Sequence, residues 1–316
     1  MNIDRISVIA TLHSIRDYIR WAASRFTEQR IFLGHGALTA LDEAAAIVLH
    51  TLHQPYDLAD AYLAAVLTME EREAVLDIVL RRISERKPYA YLTGEALFAG
   101  LAFYVDERVL VPRSPIAELI IERFQPWVDE DRVANILDLC TGSGCIAIAC
   151  AHAFPDAHVD AVDISSAALA VAKINVDKYG LSDQVYLLNG DLFKDLFPKR
   201  YDIIVSNPPY VSLAEWEGLP AEYHAEPALG LKGGVSGLDL VLRILADAPD
   251  YLADRGILIV EVGSSAEYLQ SLLPDVPFSW LQFEHGGDGV FLLTAQQVTD
   301  FHSLFVDALS SCLETR

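Results

Sequence analysis

The spacing of apolar residues changes character along this chain. Residues 1–88 read as helical. Within them, residues 42–53 repeat apolar positions at Ala45, Ile47, Val48, Leu49 and Leu52, with Asp42 as the expected N-cap. Residues 68–85 place Val75, Ile78, Val79 and Ile83 on one face. They open with Thr68-Met69-Glu70-Glu71, where Thr and Glu stand at the spacing of a capping box. Residues 94–111 carry Phe98, Leu101, Phe103, Val105, Val109 and Leu110 beside Gly94 and Gly100, which predicts a short hairpin. Val111-Pro112-Arg113-Ser114-Pro115 follows, then a helix through Phe124. Pro126 and an acidic run mark residues 125–134 as an exposed lead-in to what comes next.

From Asn135 apolar runs alternate with helical segments. The expected strands are Asn135–Cys140, His158–Ile164, Val185–Asp191, Tyr201–Ser206, Gly256–Val262, Phe278–His285 and Val290–Ala295. Helices are expected at Gly144–Phe154, Ser165–Tyr179 and Gly237–Leu252. Such alternation predicts an α/β fold, a mostly parallel seven-stranded sheet covered by helices on both faces. The last two strands are separated by only Gly286-Gly287-Asp288-Gly289, too short for a parallel crossover, so they must form an antiparallel hairpin. A Rossmann-like sheet with an antiparallel last strand is the pattern of class I methyltransferases. The expected organisation is a helical domain over residues 1–92, a hairpin linker over 93–112 and the α/β domain over 113–316.

Composition narrows the reading. The 316 residues suffice for a full core, and 52% apolar content excludes a disordered chain. No apolar run reaches the ~18 residues that span a bilayer, and Met1-Asn2-Ile3-Asp4-Arg5 has no apolar signal-peptide core. Cys140, Cys145, Cys150 and Cys312 form no Cys-x-x-Cys pair, so neither a disulfide framework nor a zinc site is expected, and a reducing cytoplasm is. His50 and His53 stand at helical spacing without a third ligand nearby, so no metal is expected. Net charge is −22, with 45 acidic against 23 basic residues. That field repels polyanions and attracts basic partners, which argues against direct nucleic-acid binding.

The chemistry collects at the strand ends. Asn207-Pro208-Pro209-Tyr210 follows the fourth strand. The Asn oxygen and the Pro208 carbonyl are two acceptors that the rigid prolines make converge, suited to a planar NH2 group, and Tyr210 supplies an aromatic cover. A methyltransferase for an amide or an aromatic amine needs that arrangement. Asp138-Leu139-Cys140-Thr141-Gly142-Ser143-Gly144 ends the first strand, and its glycines permit close backbone approach to a ligand. The loop lacks Gly-Lys-Ser/Thr, so it is no P-loop, and Asp138 would repel a pyrophosphate but can receive the ammonium of a methionine moiety through the loop or a water. Asp163-Ile164 ends the second strand, about 20 residues after Gly142, where a carboxylate accepts from ribose hydroxyls. Asp191-Leu192 ends the third, placed for an adenine amino group and ring. Asp138, Thr141, Gly142, Ser143, Gly144, Asp163, Ile164, Asp191, Leu192 and Asn207 are thus the expected S-adenosylmethionine contacts. Asn207, Pro208 and Tyr210 are the expected catalytic set, and Pro209 and Arg113 join them as substrate contacts.

These motifs resemble the protein-(glutamine-N(5)) methyltransferases, which share Asn-Pro-Pro-Tyr with DNA adenine methyltransferases. Phe98-x-Gly100-x-x-Phe103 is similar to the linker of that family. The release-factor branch has Pro-Arg-Pro-Asp-Thr-Glu after the hairpin, whereas this chain has Pro112-Arg113-Ser114-Pro115-Ile116-Ala117-Glu118. That variant resembles the branch acting on large-subunit ribosomal protein L-three. So do Phe32-Leu33-Gly34-His35-Gly36, Leu49-His50-Thr51-Leu52-His53 and the run from Leu219 to Pro227. Ser236 departs from the acidic residue common before Gly-Leu-Asp. The resemblance implies methyl transfer from S-adenosylmethionine, leaving S-adenosylhomocysteine, to a glutamine of that basic protein, and the net charge of −22 points to the free protein before assembly as the substrate. The alternatives are a release-factor substrate with a Gly-Gly-Gln loop, a nucleic-acid adenine methyltransferase, and a non-catalytic binding module for ribosomal proteins.

Overall fold

The computed structural model describes residues 4–194 and 196–314. Met1, Asn2 and Ile3, on which the signal-peptide reading partly rests, lie outside the described residues. The chain divides into two compact units. One is Met1–Ala96 with Pro220–Ala225, the other Leu97–Leu219 with Glu226–Arg316.

The first unit is helical: α1 (Arg5–Thr11), α2 (Ile15–Glu28), α3 (Ala40–Thr51), α4 (Met69–Glu85) and α5 (Tyr89–Thr93). Tyr18, Phe26, Ile47 and Leu76 are fully buried between them. Thr68 and Glu71 cap α4 reciprocally, as their spacing implies. Helix α3 starts earlier than expected. Thr39 is its N-cap, taking the Asp42 N–H at 3.1 Å, while the Asp42 carboxylate returns to the Thr39 N–H at 3.0 Å. Asp42 is therefore the third residue of a capping box rather than the cap.

A buried charge cluster joins α3, α4 and the returning segment. Arg82, fully buried, donates to Glu43 Oε1 at 2.6 Å and to the Phe32 carbonyl at 2.9 Å. Its Nη1 lies 3.7 Å from Glu222 Oε1, which also takes Arg86 Nε at 2.9 Å and the Phe32 N–H at 3.1 Å. Burial raises the Glu43 pKa and the adjoining Arg82 guanidinium opposes that rise. Two carboxylates buried without these cations would cost several kcal/mol each, so the cluster is specified as a set.

β1 (Glu95–Phe98) and β2 (Leu101–Tyr104) form the expected hairpin where the chain passes from the first unit, which ends at Ala96, into the second. Residues 105–111 run beyond it without strand pairing. After α6 (Ile116–Ile121) come β3 (Asn135–Leu139), α7 (Cys145–Ala153), β4 (His158–Asp163), α8 (Ser166–Tyr179), β5 (Val185–Asn189) and β6 (Tyr201–Ser206). The chain continues with α9 (Leu213–Gly218), α10 (Asp239–Asp247), β7 (Leu252–Glu261), α11 (Ala266–Leu272), β8 (Ser279–Trp280), β9 (Val290–Thr294), α12 (Ala295–Asp300) and α13 (His302–Glu314). The seven strands lie in the order β5-β4-β3-β6-β7-β9-β8. All neighbours pair in parallel except at β9, which runs antiparallel to both β7 and β8.

Alternation along the strands explains the layers. Leu137, Ile204, Leu258 and Phe291 pack with Val241 and Leu245 of α10 and Phe305 of α13. Their strand neighbours Ile136, Ile203 and Ile257 are equally buried and point to the other face. The hairpin is held by α8: Asn175 takes the Tyr104 N–H at 2.7 Å and gives its own amide to the Tyr104 carbonyl at 3.0 Å.

Several boundaries differ from the sequence reading, among them helix Gly237–Leu252, which ends at Asp247, and two of the strands. Strand β7 begins at Leu252, four residues early, because Leu252 pairs with Tyr201 across a register shift. The expected strand Phe278–His285 shrinks to Ser279–Trp280. Glu118 takes the N–H groups of Glu284 and His285 at 2.8 and 3.0 Å, so these amides serve a carboxylate instead of a ladder. The antiparallel pairing of β8 and β9 holds, through a longer loop.

Candidate active site

The parallel strands β3 to β6 all end on one side of the sheet, and their loops enclose a cavity of about 260 Å³. Thr141, Gly142 and Ser143 line it from the first loop, Asp163 and Ile164 from β4, Asp191 and Leu192 after β5, and Asn207 and Pro209 after β6. Arg113 lines it from the segment after the hairpin. Ten of the residues singled out in the sequence are thus brought to one place. Asp138, Gly144, Pro208 and Tyr210 do not line it.

The glycine loop is shaped by three left-handed residues, Cys140 (φ 60°), Gly142 (φ 56°) and Gly144 (φ 80°). The first is a non-glycine in a region that disfavours side chains. Asp163 draws the loop across: its Oδ2 takes the Gly142 N–H and its Oδ1 the Ser165 N–H, both at 2.8 Å. Burial raises its pKa and these two N–H groups oppose that. Each oxygen retains acceptor capacity toward the cavity. Asp191 also faces the cavity, but pairs with Arg243 Nη2 at 2.9 Å.

Asp138 sits beneath the loop, fully buried. Its Oδ2 takes Thr141 Oγ1 at 2.5 Å and the Ala147 N–H at 3.1 Å, so it shapes the loop and the start of α7. Its Oδ1 is buried with no hydrogen bond among the described residues. Burial pushes its pKa up to about 7. An orphaned carboxylate oxygen, a glycine with open space where a side chain would stand, and a ribose-type acceptor together fit a ligand carrying a cation and a diol. Cys140 and Cys145 line the same wall as small apolar groups. Burial pushes the Cys145 thiol up to about 12 and the Cys140 thiol higher still, so neither supplies a thiolate.

The Asn207–Tyr210 turn opens from β6. The Asn207 side chain, half-buried, makes no hydrogen bond with the described residues, leaving its amide free for a ligand. Pro208 and Pro209 are buried. Tyr210 is held by the protein on two sides. Its ring packs against Gly263, where any Cβ would collide with it, and its hydroxyl donates to Glu261 Oε1 at 2.8 Å. Its carbonyl accepts from Ser265 Oγ at 3.1 Å. Gly233 completes the cradle, since a Cβ there would stand 2.6 Å from the Pro209 carbonyl and 2.7 Å from Tyr210 Cα. Sequence reading missed Gly233, Gly263, Glu261 and Ser265, because their link to the turn exists only in three dimensions.

Arg113, expected to touch substrate, spends its guanidinium on Glu226 in a two-pronged pair of 2.7 and 2.8 Å. Glu226 is buried and also takes the Val111 N–H at 2.9 Å. The pair holds the cavity wall in place. Glu118 caps the loop before β9, as described above, and does not line the cavity. Among the described residues, no three His, Cys, Asp or Glu side chains gather as metal ligands.

A sheet of this order with one reversed strand, and a glycine loop at the carboxyl end of its first strand, defines a class I methyltransferase. The family model described as methyltransferase small domain matches residues 117–218. The chain is 52% identical to a ribosomal protein uL3 glutamine methyltransferase of Xanthomonas campestris pv. campestris, over 95% of this chain and 97% of that protein. It is 51% identical to one of Bordetella pertussis, over 91% and 97%, and 47% identical to one of Francisella tularensis subsp. tularensis, over 94% and 95%. Identity at this level across whole chains is decisive: the protein belongs to the family of ribosomal protein uL3 glutamine methyltransferases.

Proposed function

We propose that this chain transfers the methyl group of S-adenosylmethionine to the side-chain amide nitrogen of a glutamine in ribosomal protein uL3, the large-subunit protein L-three. One observation carries the reading: Asn207, whose amide has no partner among the described residues, lines the same cavity as Gly142, Asp163 and Asp191. Membership in the family supports the choice of uL3.

When bound, S-adenosylmethionine supplies an electrophilic methyl group. Asp163 accepts its ribose hydroxyls, the loop from Thr141 to Gly144 receives the methionine part, and Asp138 beneath adds negative potential toward the ammonium. Asp191 and Leu192 serve the adenine. A glutamine amide nitrogen is a weak nucleophile because its lone pair is shared with the carbonyl, so alignment is the main task. Asn207 oxygen and the Pro208 carbonyl accept the two amide hydrogens and fix the nitrogen. Orientation of this kind contributes up to ~7–11 kcal/mol. Both hydrogen bonds strengthen as the nitrogen gains positive charge, which favours the transition state over the bound substrate. No strong base is needed before transfer, and the proton departs to solvent afterwards.

The charge of −22 favours free, basic uL3 over the assembled ribosome, where RNA repels the enzyme. The helical unit is then the natural candidate for substrate recognition. Action on a ribosomal protein and four free cysteines suit a cytoplasmic enzyme. No described helix is long and apolar enough to cross a membrane.

The test is incubation with labelled S-adenosylmethionine and, separately, free uL3, intact large subunits, release factor and DNA, beside an Asn207→Ala variant. Label on a glutamine of free uL3, lost in the variant, is the expected result. Label on release factor would move the substrate, and label on DNA would overturn the amide reading.

A further inference from the structure

The mechanism above leaves one buried acid at the site unused. Glu261 ends β7 one position past the Ser206–Val260 pair, which sets it beside Asn207 across the sheet. It is almost wholly buried. Its two oxygens serve two different parts of the site. Oε1 takes the Tyr210 hydroxyl at 2.8 Å, and Oε2 takes the Ser114 hydroxyl at 2.5 Å. Ser114 belongs to the wall segment that lines the cavity, and Tyr210 closes the catalytic turn.

We propose that Glu261 is a positioning residue for methyl transfer, gripping Tyr210 and Ser114 at once so that the Asn207–Tyr210 turn stays in register with the cavity wall. The proposal rests on the glutamine methyltransferase reading above. The transmission is mechanical. Gly263 fixes the plane of the Tyr210 ring, and Ser265 holds its carbonyl. The Glu261 carboxylate then removes the remaining freedom, rotation of the ring end. Between Tyr210 and Asn207 stand two prolines with locked φ, so a displacement of one end is passed to the other rather than absorbed. A displacement of ~1 Å at the nucleophile costs ~100-fold in rate. Glu261 lies outside the cavity lining, so cofactor affinity should not register its loss.

The test compares Glu261→Ala, Tyr210→Phe, their double variant and Glu261→Gln. Turnover and KM on free uL3 are measured beside S-adenosylhomocysteine affinity by calorimetry and the thermal midpoint. Glu261→Ala is expected to lower kcat ~10–100-fold while homocysteine-product affinity stays within about threefold. Tyr210→Phe removes one oxygen without threatening the fold, and should reproduce much of that loss. The double variant should be no slower than the slower single, because both cut one link. Glu261→Gln should recover most of kcat, since its amide accepts from Tyr210 and donates to the Ser114 oxygen. Turnover of Glu261→Ala near the wild-type value, a parallel loss of ligand affinity, or multiplying effects in the double variant would each overturn the proposal. A wild-type enzyme that labels no glutamine would instead overturn the functional reading, and this proposal with it.

Discussion

Replacing Arg82 by Met isolates the worth of the charge cluster in the helical unit. Met keeps most of the side-chain volume and removes the cation. Glu43, buried to the same degree, loses its 2.6 Å partner, and the Phe32 carbonyl loses a donor at 2.9 Å. Glu222 keeps Arg86 at 2.9 Å and the Phe32 N–H, so it is partly rescued. Stranding one buried carboxylate costs about 3–5 kcal/mol, and the carbonyl adds about 1 kcal/mol. The cost should depend on pH. Burial already lifts the Glu43 pKa against the pull of Arg82, and removing Arg82 lifts it further. A carboxyl whose folded pKa lies above its unfolded value favours the fold below the unfolded pKa and loses that favour as pH rises through the folded one. The penalty should therefore shrink as pH falls from 8 and Glu43 takes up a proton. Global melting mixes the two units, so native-state hydrogen exchange is the assay, read separately in α3 and α4 and in β6 and β7. Protection should fall by several kcal/mol in the helices and by under about 1 kcal/mol in the strands. A loss below about 1 kcal/mol in α4, or one that does not change with pH, would refute the reasoning.

Three further outcomes are expected. Asp163→Asn should weaken S-adenosylhomocysteine binding roughly 10–100-fold by calorimetry, the value of charge-assisted hydrogen bonds to a carboxylate. Asp138→Asn should raise the thermal midpoint of the ligand-free protein at pH 8, with the gap closing as pH falls from about 7 toward 4. Wild-type Asp138 has its folded pKa raised to about 7, so its stabilising protonation is lost across that window, and Asn carries no charge to lose. Gly263→Ala should push the Tyr210 ring aside and lower kcat more than tenfold while ligand affinity holds, measured by turnover and calorimetry.

The order of strands in the sheet was not legible in the sequence, whereas the alternation of strands and helices, the reversed last strand and the cavity-facing motifs were. Each depends on local period and on residues at strand ends, which one chain displays on its face. Thr39 escaped because Asp42 competes for the same role, and only the reciprocal bonds decide between cap and third residue. The short β8 escaped because its competitor, Glu118, lies 166 positions away from Glu284. The protein partners of Asp138 and Tyr210 were not legible. Which way a strand-end side chain turns is set by what is packed under it, Ala147 and Thr141 for one, Gly263 and Glu261 for the other. The same limit hid the Arg113–Glu226 pair, whose members are 113 residues apart.

The charge cluster of the first unit has a consequence in time. Glu222, which completes it, is translated 190 residues after Phe32, whose N–H it accepts. At ~5–20 residues per second, Arg82 on the last of these helices emerges from the ribosome roughly 7–28 s before that carboxylate does. Until then Arg82 and Glu43 have each other but not their third partner. The nascent helical unit thus reaches its final form only after β6 and the catalytic turn have been synthesised, and a protein truncated before residue 220 would carry an unfinished first unit rather than a finished half.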